Sequence, residues 1–286
     1  MTMRVELQVF SGRPNPTWVL SDTEAADLTT LIKELAPIPG KPRCGLGYHG
    51  FKVVADGGPF ASLSVDQGIV ARRNVNVEMA SSFADGGRHI ERWLVETATP
   101  ERCDPDIVRA VIQQVEAPAM TEMAAAETAP PVTTPPALKA SSDYDPDRWN
   151  KKGVINNNDC YNYATNCMST DGRMAVPGRK GGTECDWGSC EDIAAAAVRD
   201  KLNPRDDESP ASARADEWCV ALYVTDQNDY HWYRHHAAGF WSHKPSSCPA
   251  RNCDESGAII TNIRTADTLN YKLCRFFWKP SGLIVK

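Results

Sequence analysis

The chain has 286 residues, of which 42% are hydrophobic, 24% charged and 8% aromatic; these are ordinary globular values and exclude a wholly disordered or collagen-like chain. Its 31 Lys and Arg against 37 Asp and Glu give a net charge of −6 with no run of basic residues, which argues against a nucleic-acid partner. No apolar stretch approaches the roughly 20 residues that cross a bilayer, so no membrane span is expected.

Met3, Val5, Leu7 and Val9 alternate with Arg4, Glu6 and Gln8, the period-two pattern of a half-buried strand. Arg4 and Glu6 also interrupt the place where a secretory leader needs an unbroken apolar core, so the expected location is cytoplasmic, or outside the cell by a non-classical route. Ser21-Asp22-Thr23-Glu24 is a capping box that opens a helix with Ala25, Leu28, Ile32 and Leu35 on one face. Short strands are expected near Phe51 to Ala55, Ala61 to Val65 and Val75 to Met79. A helix is expected over Arg88 to Thr97, and another with Asp104 as cap and Pro105 at its first position. Residues 1–116 therefore form a small α+β domain whose His49, His89, Cys44 and Cys103 have no catalytic or metal-ligand spacing.

From Ala117 to Ser142 the composition changes to 8 Ala, 5 Pro and 4 Thr in 26 positions, which cannot bury a core and reads as a semi-rigid linker. Residues 143–286 form a second domain, which holds eight of the ten Cys and four of the six His. Asn156-Asn157-Asn158-Asp159-Cys160 is a polar loop entering a helix, with Asn158 or Asp159 as cap and Cys160 in the first turn. A thiol there feels the positive end of the helix dipole and is expected to titrate well below an ordinary cysteine. Ser189-Cys190-Glu191-Asp192 opens an Ala-rich helix. Strands are then expected over Trp218 to Thr225, Tyr230 to Arg234, Phe240 to Lys244 and Tyr271 to Trp278. A five-residue loop from His235 to Gly239 sets Arg234 opposite Phe240 and His231 opposite His243, with His235 and His236 solvated in the turn.

A Cys at a helix start, a strand-borne His and a polar residue on the next strand, together from Asn156 to Lys244, resemble the NlpC-type branch of the papain-like cysteine peptidases. The resemblance implies a papain-like second domain, a nucleophile helix followed by an antiparallel meander. It implies a bacterial hydrolase that cleaves amide bonds in a peptide or peptidoglycan-like substrate, with no metal and no cofactor. Cys160 would be the nucleophile, its backbone N–H part of an oxyanion hole, His231 the base, and His243 the orienting group, with Asn262 or Asp267 as alternatives for that third role. Tyr161, Trp232, Tyr233 and Trp241 would line the substrate cleft, and Arg234, His235, His236 and Lys244 would rim it. Two non-catalytic readings stand beside this one. The aromatic hairpin can be an exposed binding surface. Alternatively Cys185, Cys190, Cys248 and Cys253, two pairs with the same spacing, can close a zinc site or form two local disulfides.

Overall fold

A computed structural model describes the chain apart from residues 41, 43, 76–79, 117–143, 188, 207–215 and 227. The expected strand at Val75 to Met79 and the Ala117 to Ser142 linker fall almost wholly outside the described residues. The chain divides into two compact α+β units, and the four residues Phe10–Arg13 group with the second.

The first unit holds β1 (Thr2–Leu7), β2 (Thr17–Val19), α1 (Asp22–Leu31), β3 (Ala36–Pro37), β4 (Phe51–Asp56), β5 (Ser62–Asp66), β6 (Ile69–Arg73), β7 (Ser81–Ala84), α2 (His89–Glu96) and α3 (Pro105–Glu116). Its strands form one antiparallel sheet in the order β2-β1-β4-β5-β6-β7-β3. The alternation read in β1 buries Met3, Val5 and Leu7 beside Val53 of β4, Leu63 of β5 and the helix residues Leu28 and Leu94. The Ser21 box forms as expected: the Ser21 hydroxyl accepts from the Glu24 N–H at 3.2 Å, and the Glu24 carboxylate accepts from the Ser21 N–H at 2.7 Å.

The second unit holds α4 (Pro146–Trp149), a 3-10 turn (Ile155–Asn157), α5 (Cys160–Ala164), α6 (Cys190–Arg199), β8 (Asn203–Arg205), β9 (Glu217–Thr225), β10 (Asp229–His235), β11 (Trp241–His243) and β12 (Lys272–Pro280). Its antiparallel sheet runs β11-β10-β9-β12-β8. The short strand β8 lies where the sequence suggested only the end of a helix, because Asn-Pro-Arg carries a strand breaker and too few residues for a period. The β10–β11 hairpin keeps a five-residue loop but moves it by one position, to His236–Phe240. Tyr233 rather than His231 therefore faces His243. The displacement changes the pairing by two residues, so His231 and His243 still project from one face as diagonal neighbours.

One disulfide joins Cys190, the first residue of α6, to Cys274 in β12, and Cys248 is also disulfide-bonded. Cys185 and Cys253 are free thiols. This corrects both sequence expectations for these cysteines: neither local pair forms, and a four-thiolate zinc site is excluded because two of its members are already oxidised. Among the described residues no group of His, Cys, Asp and Glu is arranged to hold a metal ion, and no helix is long and apolar enough to cross a membrane.

Candidate functional site

The polar run before Cys160 folds as a capped start. Asp159 is the cap of α5: its carboxylate accepts from the Asn162 N–H at 2.9 Å, while the Asn162 side-chain oxygen accepts from the Asp159 N–H at 3.3 Å. The same Asn162 oxygen accepts from the Ala175 N–H, and its amide donates to the Cys167 carbonyl. All five residues of α5 are buried. Tyr161 donates to Asp200 at 3.0 Å, and Tyr163 and Ser242 share a hydrogen bond of 2.5 Å. Beneath the cap, the Lys244 ammonium reaches the carbonyls of Ile155, Asn158 and Ser246 at 2.7, 2.5 and 2.5 Å.

Cys160 shares a core with Tyr161, Tyr230 and Trp232, and its sulfur lies against the Trp232 backbone N–H. The thiol is 0% exposed. Burial pushes it well above the ordinary cysteine range, and the neighbouring Asp159 adds to the rise. The expectation of a lowered Cys160 thiol is therefore corrected: a five-residue helix supplies too little dipole to offset complete loss of water beside two acidic groups, Asp159 and Asp229.

His231 and His243 come together as the sequence suggested, with His231 Nε2 at 2.8 Å from His243 Nδ1. His243 Nε2 lies 2.9 Å from the Cys253 carbonyl and 3.1 Å from Arg251 Nε. The Cys253 carbonyl can only accept and the Arg251 Nε–H can only donate, so they ask opposite roles of His243 Nε2, and the ring nitrogen left over in the pair is His231 Nδ1. That nitrogen has no hydrogen-bond partner among the described residues. The Cys160 thiol therefore does not hydrogen-bond to the His231 imidazole. Asn262 and Asp267 stand on exposed turns, where their side chains accept from the N–H groups of Arg264 and Leu269, and neither orients His231.

The four aromatic residues expected in a cleft, Tyr161, Trp232, Tyr233 and Trp241, are exposed by only 0, 0, 1 and 2%. They are core. Tyr161 packs on Trp232, Tyr233 on His231 and His243, and Trp241 on Phe276. The exposed-hairpin expectation is corrected on the same ground. The supposed rim is also interior: Arg234, His236 and Lys244 are buried, with Arg234 over the Tyr163 ring at 4.6 Å and His236 Nε2 at 2.5 Å from Ser242. The residues that sequence reasoning missed are these buried polar ones, with Asp229, which accepts from Tyr271 Oη at 2.5 Å and from the N–H groups of Ser11 and Gly12. Only the Asx-rich run before Cys160 signalled any of them.

Both imidazoles are held well below their ordinary range, by burial first and then by the Arg251 charge. The unfolded chain takes up a proton at each near pH 6.5 and the folded chain does not. Their contribution to stability is therefore complete above pH 6.5 and falls as the pH drops, by ~1.4 kcal/mol per pH unit for each imidazole. Asp159, pushed by burial up to about 7, runs the other way, because the folded chain keeps a proton that the unfolded chain loses above 3.8. The histidines are best followed directly: the ring-proton resonances of His231 and His243 are expected to stay flat from pH 8 to 5, and a midpoint near 6.5 for either would show it to be solvated.

Fold and site together define a two-unit α+β protein whose second unit has a closed Cys-His-Lys interior and a disulfide that ties α6 to its sheet. No family model and no solved structure matches the chain. It is 37% identical over 131 residues to insoluble matrix shell protein 1 of Ruditapes philippinarum, a match that spans 46% of this chain and 84% of that protein. The chain belongs to the family of that matrix protein. This relationship overturns the expectation of a bacterial peptidase or amidase.

Proposed function

We propose that this protein is a structural component of an extracellular matrix, and that its Cys160, His231 and His243 hold the second unit together instead of turning over a substrate. The observation that carries the reading is the relationship to a protein named for an insoluble matrix. Three features support it. The reactive groups are interior, the thiol and both imidazoles are neutral at pH 7, and disulfides persist in oxidising compartments rather than in the cytosol.

Two measurements test it. Fractionation of the source tissue is expected to recover the full chain with insoluble extracellular material, and a freely soluble cytosolic chain would overturn the proposal. In the native chain, iodoacetamide at pH 8 is expected to label the half-buried Cys167 and Cys253 while Cys160 reacts only after denaturation. Rapid labelling of Cys160 at pH 6 that disappears in His231→Ala would reveal an ion-paired nucleophile and sink the structural reading.

A further inference from the structure

Residues Phe10–Arg13 belong to the second compact unit, although the residues on either side of them belong to the first. They are the tip of the loop between β1 and β2. The base of that loop is closed by three hydrogen bonds: Leu7 N–H to the Pro16 carbonyl at 3.0 Å, Val9 N–H to Asn15 Oδ1 at 3.0 Å, and Asn15 Nδ2 to Glu6 at 3.1 Å. Pro14 and Pro16 fix φ on the returning limb, so the loop is a short stiff finger.

Within the second unit the tip lies in a cradle made by Asp229, Tyr230, Ser246 and Tyr271. The two carboxylate oxygens of Asp229 accept from successive backbone N–H groups, those of Ser11 at 2.7 Å and Gly12 at 3.2 Å. Tyr271 Oη donates to the same carboxylate at 2.5 Å and lies 3.4 Å from Ser11 Oγ, and the Ser246 N–H donates to the Ser11 carbonyl at 3.3 Å. Gly12 rests directly on β10: a Cβ there would stand 2.4 Å from the Tyr230 ring and from its carbonyl oxygen, so the contact admits only glycine. Phe10, Ser11, Asp229 and Tyr271 are all more than nine-tenths buried.

The cradle recognises a backbone: one carboxylate reads two consecutive N–H groups, and a glycine-sized contact excludes side chains. Gly12 and Asp229 are 217 positions apart in the chain, and the Ala117 to Ser142 run between them has a composition that cannot bury a core. The same contacts serve the chain's own segment and the identical segment of another copy. We propose that the Asp229 cradle is an assembly site that takes the Phe10–Arg13 segment of a second copy of this chain. Segment and cradle are different patches, so the contact is heterologous; passed from copy to copy it builds an open chain. This deepens the matrix reading, on which the choice of a second copy as occupant rests, by supplying a joint between molecules.

The test mixes two full-length variants. Gly12→Val keeps the cradle and spoils the segment, while Asp229→Asn keeps the segment and spoils the cradle by placing an amide donor where acceptors are needed. Each alone is expected to sediment as a monomer, and the equimolar mixture as a species of twice the monomer mass. A labelled peptide of residues 8–16 is the second probe. Gly12→Val is expected to bind it saturably, and the wild type, whose cradle is filled by its own segment, at least about tenfold more weakly. If either variant fails to fold, Gly12→Ala and Tyr271→Phe take their places. Wild type refolded at rising protein concentration needs no substitution and is expected to give a ladder of oligomers. A mixture that stays monomeric overturns the proposal; if Gly12→Val still binds the peptide, the cradle serves a short peptide partner and not a second copy. Association of either variant alone to the same degree as the mixture overturns it as well, as does a wild type that refolds only to monomer. Recovery of the chain from the cytosol would sink the matrix reading without touching these results, and a monomeric mixture would sink the exchange without touching the fractionation.

Discussion

Replacing Lys244 with Met is expected to destabilise the second unit by about 3 to 5 kcal/mol. The ammonium is 0% exposed and its three N–H donors meet three backbone carbonyls, those of Ile155, Asn158 and Ser246. Two of those carbonyls, of Ile155 in the 3-10 turn and of Asn158 just before the Asp159 cap, precede α5, so one side chain fixes the polar run that launches the helix. Burial brings the Lys244 ammonium down to about 7 even though the nearby Asp159 opposes that fall. A methionine fills most of the volume but leaves three interior acceptors with no donor, and each such orphan costs about 1 to 3 kcal/mol before relaxation.

Denaturant unfolding followed by tryptophan fluorescence suits the measurement of this loss, since six of the eight Trp lie in the second unit. Lys272→Met is the contrast. Lys272 and its partner Asp226 are 73% and 91% exposed and 3.3 Å apart, so that substitution is expected to change stability by no more than about 0.5 kcal/mol. Equal effects of the two substitutions would show that Lys244 is not a structural cation.

Local signals in the sequence translated well. The alternation in β1, the Ser21 box and the cap before Cys160 are written within a few residues, and each appears at its expected place. The hairpin loop was legible in length but not in position, because moving a five-residue loop by one residue keeps the same side chains on the same face. That tolerance is why His231 and His243 still meet at 2.8 Å although they are not directly opposed. Depth was not legible. A thiol at the start of a buried helix and one at the lip of a cleft have the same neighbours in sequence, and the difference lies in what covers them. Lys244 is the plainest case: its partners include a carbonyl 89 residues earlier, and no spacing rule announces a lysine that serves as an internal donor.

Removing the Cys190–Cys274 cross-link by the double substitution to Ala is expected to cost the second unit about 4 to 5 kcal/mol on the chain-entropy estimate for a loop of this size. The two cysteines are 84 residues apart, so the link closes a long loop in the unfolded chain. It also joins the first residue of α6 to the position where β12 shifts register against β9, between Leu273 and Arg275. The irregularity belongs with the link: an extra residue on β12 re-aims Cys274 out of the regular alternation and toward the helix. The paired substitution is preferable to a reductant because Cys248 is disulfide-bonded too, and reduction would open both. Cys185→Ala, which removes a buried free thiol, is expected to leave the cross-linked peptide intact in a non-reducing digest. Recovery of a Cys185–Cys190 peptide from the wild type, or loss of the cross-linked peptide in Cys185→Ala, would show that the local pairing holds, and an unchanged unfolding midpoint in the Cys190/Cys274 variant would show that the sheet is not tied to α6.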